Sequence, residues 1–259
     1  MINSIMKNNS FLPYIKVLKI IFPLAIILSV WEIAAFVIND SFFLPGVRET
    51  SVSLFKIFAS GDFLKVILTA FFRVFSGLLI GIILGITLAF LCRKFEPVNT
   101  VIAPIISIMK ATPVACIIVL LWIRLNYTEI AIFVVLLMVL PIIWQNVYDA
   151  IGEMDKSMIE VADVFRLNRF QRIKILVIPS VLSYLLPAVV TSIGLAWKAE
   201  IAAEIMTNSN IGRLIYDFKT VSYDTASIFA WTVIIVTLSI IFEKGAKYLL
   251  GRLTNVLKT

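Results

Sequence analysis

The chain contains no histidine. Imidazole general bases, imidazole proton relays and His-ligated metal centres are therefore excluded. Cysteine is almost as scarce. Cys92 and Cys116 lie in separate apolar contexts and make neither a disulfide framework nor a metal-binding set. No Cys/Asp/Glu group stands at ligand spacing, so neither metal nor cofactor is expected, and an intramembrane enzyme would lack a nucleophile–base pair. There is no phosphate-cradling glycine loop ending in Lys-Ser or Lys-Thr, so the chain carries no nucleotide site of that kind. Charge is sparse as well: 15% of residues, against about 25% in a soluble domain.

What fills the chain instead is apolar sequence, 61% of 259 residues. About 20 apolar residues in a row cross a bilayer as a helix. Six stretches approach that length: 20–38, 66–91, 101–123, 130–148, 181–206 and 226–242. The expected fold is an all-α polytopic membrane protein with about six transmembrane helices. The third stretch holds Pro104, Lys110 and Pro113, which predict a kink or break. No small-residue cleavage pattern follows the first run, so it reads as a retained helix.

The net charge of +7 fits basic cytoplasmic loops better than nucleic acid. With the N-terminus inside, the inner segments carry 14 Lys/Arg and the outer ones 6. Both termini are then cytoplasmic. The outer segment 39–65 contains the turn Leu44-Pro45-Gly46, and Val52, Phe55 and Phe58 follow at the spacing of a short amphipathic helix. The inner segment 149–178 is too long for a simple connection. Two short helices fit it, one capped near Asp155 or Ser157 and running to Phe165, a second starting after Asn168. Pro179 and Pro187 then open and bend helix five.

Within that loop Glu160-Val161-Ala162, Arg166 and Val177-Ile178-Pro179 stand in order. The pattern resembles the permease family of bacterial ABC importers, whose cytoplasmic loop reads Glu-Ala-Ala, three residues, Gly, then about nine residues to an Ile-x-x-Pro-like ending. Arg166 replaces the glycine, and Asn168 is expected to supply the left-handed turn instead. Further landmarks are Phe43-Leu44-Pro45-Gly46, the run Ala70 to Gly77, Lys110-Ala111-Thr112-Pro113, Gly194-Leu195-Ala196-Trp197 with Ala202-Ala203-Glu204, and Gly212. These resemble the nitrate/sulfonate/taurine branch. The resemblance implies a type I ABC importer permease fold with a coupling-helix loop between helices four and five. It implies a transport subunit without its own ATPase site, in a bacterial inner membrane. The implied partners are two copies of an ATP-binding subunit, a second permease (a homodimer) and an extracytoplasmic substrate-binding protein. Glu160, Val161, Ala162, Val164, Phe165 and Arg166 would dock the ATPase, with the apolar members in a groove and Glu160 on an arginine. The implied organisation is a first helix and outer segment over 1–60, the transporter domain over 61–245 and a tail over 246–259.

Ionisable residues inside spans are costly and are candidates for function. They are Glu32, Arg73, Lys110, Lys198, Glu200 and Glu204. On a helix Glu200 and Glu204 lie about 40° apart, while Lys198 is about 160° from Glu200, so the glutamates need partners elsewhere. Arg73 and Lys110 are the candidates. Lys110, Lys198, Glu200 and Glu204 are the candidate pathway residues, with Glu204 near the mouth. Gly77, Gly81 and Gly85, four apart, predict a close-packing face, placed at the dimer seam. The alternative function is an ion-gradient-driven secondary transporter.

Overall fold

The computed structural model describes residues 12–257. Lys7 and Lys258, counted among the inner charges, lie outside them. Every regular element among the described residues is helical. The chain divides into two compact units, one running to Ser60 with Asp217–Thr232, the other Gly61–Tyr216 with the chain from Val233 onward.

The first unit contains α1 (Leu12–Ile38), α2 (Val47–Ala59) and the first turns of α11 (Thr225–Leu257). The turn between α1 and α2 is tied down by side chains of α1. The Trp31 indole donates to the Pro45 carbonyl at 3.0 Å, and the Val47 amide donates to Glu32 at 2.7 Å. Glu32 thus satisfies an orphan amide at the start of a helix, a structural use of an in-span charge.

The second unit is built on α3 (Phe63–Lys94), α6 (Tyr127–Gly152) and α9 (Ile178–Met206). Gly77, Gly81 and Gly85 of α3 face the chain's own α6, each against one side chain four residues on: Val135, Val139 and Ile143. A Cβ at Gly77 would stand 2.7 Å from the Ile132 carbonyl and from Val135. The absence of side chains is what lets the backbones meet, as expected where lipid supplies no hydrophobic drive. The stripe therefore belongs to an intrachain contact. Between these helices run α4 (Glu96–Ala111) and α5 (Val114–Trp122), which meet at 99°. Pro113 caps α5, and its ring and missing amide explain the break. Among the described residues five helices are long and apolar enough to span, six if the bent pair makes one span.

Two expected boundaries move. The last apolar span was expected to end at Phe242. Helix continues through Leu257, because Glu243, Lys244, Lys247 and Arg252 are good helix formers and carry no stop signal. The second loop helix, α8 (Arg169–Arg172), does not stand apart from helix five either. It runs through a π-helical turn, Ile173–Val177, straight into α9. Pro179 accounts for the π turn. It lacks an N–H, and its ring would strike the carbonyl four residues back, so the backbone widens to i→i−5 bonding. The Ile178 amide accordingly reaches the Ile173 carbonyl.

Candidate functional site

The loop after α6 folds as a compact helical corner. Asp155 caps α7 (Lys156–Val164) by accepting the Ser157 amide at 2.9 Å. Hydrogen bonds from the Ser157 side chain and amide hold the Asp155 carboxyl below its ordinary value. At the other end the Leu167 amide reaches back to the Ala162 carbonyl, and the Arg166 amide to Asp163, both at 3.0 Å. This is a Schellman stop, whose C′ residue must be left-handed. Arg166 is that residue, with φ of 50°. The expectation for Asn168 is thereby corrected. Asn168 has φ of −71° and is the N-cap of α8, accepting the Gln171 amide at 2.8 Å while its own amide donates to Gln171 at 2.9 Å. An ion pair between Asp163 and Arg172 braces α7 against α8, and Arg172 Nε donates to the Leu167 carbonyl at 3.1 Å.

The corner sorts the predicted docking residues. Val161, Val164 and Phe165 are exposed, the last two by 79% and 73%. Glu160 and Arg166 are exposed beside them. Ala162 is buried, so its small side chain serves the packing of the corner beneath that surface. The corner is tied to the long helices by the Tyr184 hydroxyl of α9, which donates to Glu153 at 2.7 Å. Above it Arg93 lies over the Tyr148 ring at 3.7 Å and donates to the Tyr148 carbonyl at 2.8 Å.

Of the in-span charges, two of the three glutamates are sealed. Glu200 and Glu204 are fully buried, and Arg73 of α3 is nearly so. Arg73 Nη1 donates to Glu204 Oε1 at 2.7 Å and lies 4.0 Å from Glu200. Its other nitrogen donates to the Thr128 hydroxyl at 3.1 Å. Glu204 also accepts from the Asn210 side chain at 2.7 Å and from the Ile211 amide at 3.0 Å. Asn210 begins α10 (Asn210–Thr220), and Gly212 packs so closely that a Cβ would collide with the Glu204 carbonyl. The start of α10 thus folds back over the end of α9. Glu204, read from sequence as a mouth residue, is drawn into the interior by these three donors. Sequence reasoning named Arg73 as a candidate partner but missed Thr128 and Asn210. Asn210 lies six positions beyond Glu204, and that nearness in sequence is the signal that could have found it.

The two lysines behave differently. Lys110, in the last turn of α4 before the Pro113 break, is exposed and donates to Gln145 at 3.0 Å; Gln145 in turn donates to Asp149. Lys198 is exposed on α9. No group of three or more potential metal ligands occurs among the described residues.

Residues 77–255 match the family described as the binding-protein-dependent transport system inner membrane component. A Bacillus subtilis permease named for aliphatic sulfonates transport, SsuC, is 23% identical over 214 residues, 81% of this chain and 77% of that one. A Methanocaldococcus jannaschii protein named as an ABC transporter permease is 24% identical over 246 residues, 90% of this chain and 89% of its own. The bicarbonate transport system permease CmpB of Synechococcus elongatus is 27% identical over 141 residues, 54% and 51% of the two chains. Among solved structures, an amino acid ABC transporter crystallised with histidines aligns with a TM-score of 0.59 at 17% identity, covering 73% of this chain and 90% of that one. The inward-facing MetNI methionine transporter aligns at 0.55 and 16%, covering 75% and 93%. The fold is that of a type I ABC importer permease. The chain belongs to the family of inner membrane components of binding-protein-dependent transport systems, as a permease subunit of an ABC importer that works with an ATPase and a substrate-binding partner.

Proposed function

We propose that two copies of this chain form the translocation pathway for a small anion, each copy engaging one ATPase through the α7 corner. The observation that carries this is the exposed surface of Val161, Val164 and Phe165, outside the spans and flanked by Glu160. Burying one such side chain in a groove contributes about 1.5–3 kcal/mol. The geometry suits transmission of force: Asp163–Arg172 locks α7 to α8, and α8 continues without a break into α9. A push on α7 therefore acts on a spanning helix, as in a lever. Nucleotide chemistry belongs to the partner, since this chain has no phosphate loop.

The preference for an anion rests on how the in-span charges of the second unit are disposed. Both glutamates are buried against Arg73, while Lys110 and Lys198 are exposed. The charge these helices can show a solute is positive. Relatives named for sulfonates and bicarbonate agree with that sign. The transporter domain occupies 61–245, in a bacterial cell membrane with the α7 corner and both termini on the cytoplasmic side, the side favoured by the Lys/Arg bias.

The test is co-purification in mild detergent of the ATPase with wild type, Glu160→Lys and Phe165→Ala. Losing about 2–3 kcal/mol at Phe165 weakens docking about 30- to 150-fold. Both variants should keep the membrane fold and lose the ATPase. Undiminished ATPase in both eluates would overturn the assignment.

A further inference from the structure

Helix α2 presents its faces in an unusual order. The buried positions are Thr50, Ser53 and Ile57, two of them polar. The exposed positions include three large apolar side chains, Val52 at 49%, Phe55 at 75% and Phe58 at 54%, beside the charged Arg48, Glu49 and Lys56. A helix that hides hydroxyls and shows phenyl rings is turned for lipid, and thirteen residues are too few to span it. Such a helix lies in the plane of the interface.

Beside this face, within the same unit, is an open cavity of about 640 Å³. Phe42, Arg48, Val52, Lys56 and Tyr223 line it, with Glu49 and Asp224. The two acids keep their charge and accept hydrogen bonds from the protein itself. Glu49 accepts from the Ser41 hydroxyl at 2.9 Å and from the Gly46 amide at 3.3 Å, and Asp224 accepts from the Ser227 hydroxyl at 2.6 Å and amide at 3.0 Å. Arg48 and Lys56 have no hydrogen-bond or ion-pair partner among the described residues. Val52 belongs to both the apolar face and the cavity wall, so acyl-chain and headgroup depths meet at one residue. The Phe42 and Tyr223 rings, 6.4 Å apart, form an aromatic wall of the kind found at headgroup level.

We propose that α2 and this cavity are a phospholipid seat, with Val52, Phe55 and Phe58 among the acyl chains and Arg48 and Lys56 on the phosphodiester of one glycerophospholipid. A guanidinium and an ammonium from one helix are matched to phosphate oxygens. The seat is independent of the α7 docking and of the transported solute.

Two measurements test it on the full chain. In a Cys116→Ser background, nitroxide labels at Phe55→Cys and Lys56→Cys are compared by power saturation in vesicles of phosphatidylcholine and phosphatidylglycerol. The label at 55 should favour oxygen over a water-soluble nickel chelate, and the label at 56 should be shallower. Equal nickel access at both positions, or protection of 55 only when a substrate-binding protein is added, overturns the lipid seat. In detergent, soluble short-chain phosphatidylglycerol should raise the melting temperature of wild type, and Arg48→Gln/Lys56→Gln should lose that shift. The same shift from inorganic phosphate would mean a free-anion site, and no shift in wild type would mean no site; either overturns the proposal.

Discussion

Replacing Arg166 by glycine should make the α7 corner more stable. Arg166 holds φ of 50° as the left-handed residue of a Schellman stop. A side chain in that region costs roughly 1–2 kcal/mol through the clash of Cβ with the backbone. Glycine escapes the clash but adds freedom to the open state, which returns part of the gain. Alanine keeps the Cβ and so keeps the strain, and only the exposed arginine stem is lost. The difference between the two variants is therefore a backbone measurement, about 1 kcal/mol in favour of glycine, or a factor of about five in local opening. Hydrogen exchange of the amides of 157–167 reads that factor directly. Slower exchange in Arg166→Gly than in Arg166→Ala is the expected result. Equal exchange in the two would refute the left-handed assignment, and faster exchange in the glycine variant would mean that the arginine side chain itself braces the corner.

Arg73→Met should lower thermal stability by about 3–5 kcal/mol, since it leaves Glu204 buried without its cation. Arg73→Met/Glu204→Gln should recover part of that in a detergent melt, and a double variant no better than the single would sink the pairing argument. Gly77→Leu should cost at least about 1–3 kcal/mol by overpacking against Ile132 and Val135, read as a lower melting temperature. The Asp155 cap should depend on pH with a fixed sign. Its folded-state carboxyl is held low, so its contribution is complete above the ordinary aspartate range and is lost as pH falls through the lowered value. Asp155→Asn should remove the acid-side fraying of α7 seen by amide shifts, and identical acid fraying in both proteins would refute the cap.

The spans were legible because lipid demands long apolar runs, and the break was legible because Pro113 has one physical effect. The corner was legible through the Asp155 cap and through a second helix expected to start after Asn168. What the sequence could not settle depended on choices made in three dimensions. Arg166 and Asn168 are both near the right place for a left-handed residue, and local propensity favours asparagine. The hydrogen bonds of Leu167 and Arg166 to the preceding helix decide for arginine. Arg73 and Lys110 were equal candidates for the glutamates, and only the 2.7 Å contact across 131 positions selects Arg73. The start of helix five and the end of α11 lie outside the apolar spans, because loss of hydrophobicity ends a span, whereas only a stop signal ends a helix. The ATP-driven family replaces the ion-gradient alternative, which no residue pattern had excluded.

The glycine stripe of α3 has a consequence for how this family of sequences can drift. A glycine can change only by adding atoms, and at positions 77, 81 and 85 the space for a Cβ is already held by Val135, Val139 and Ile143. Substitution at any of the three has no silent first step on its own. The open route is an exchange of volume across the contact, with Gly81→Ala becoming tolerable once Val139 has shrunk. Homologues that carry a larger residue on α3 should therefore carry a smaller one at the facing site on α6, and those three pairs should covary.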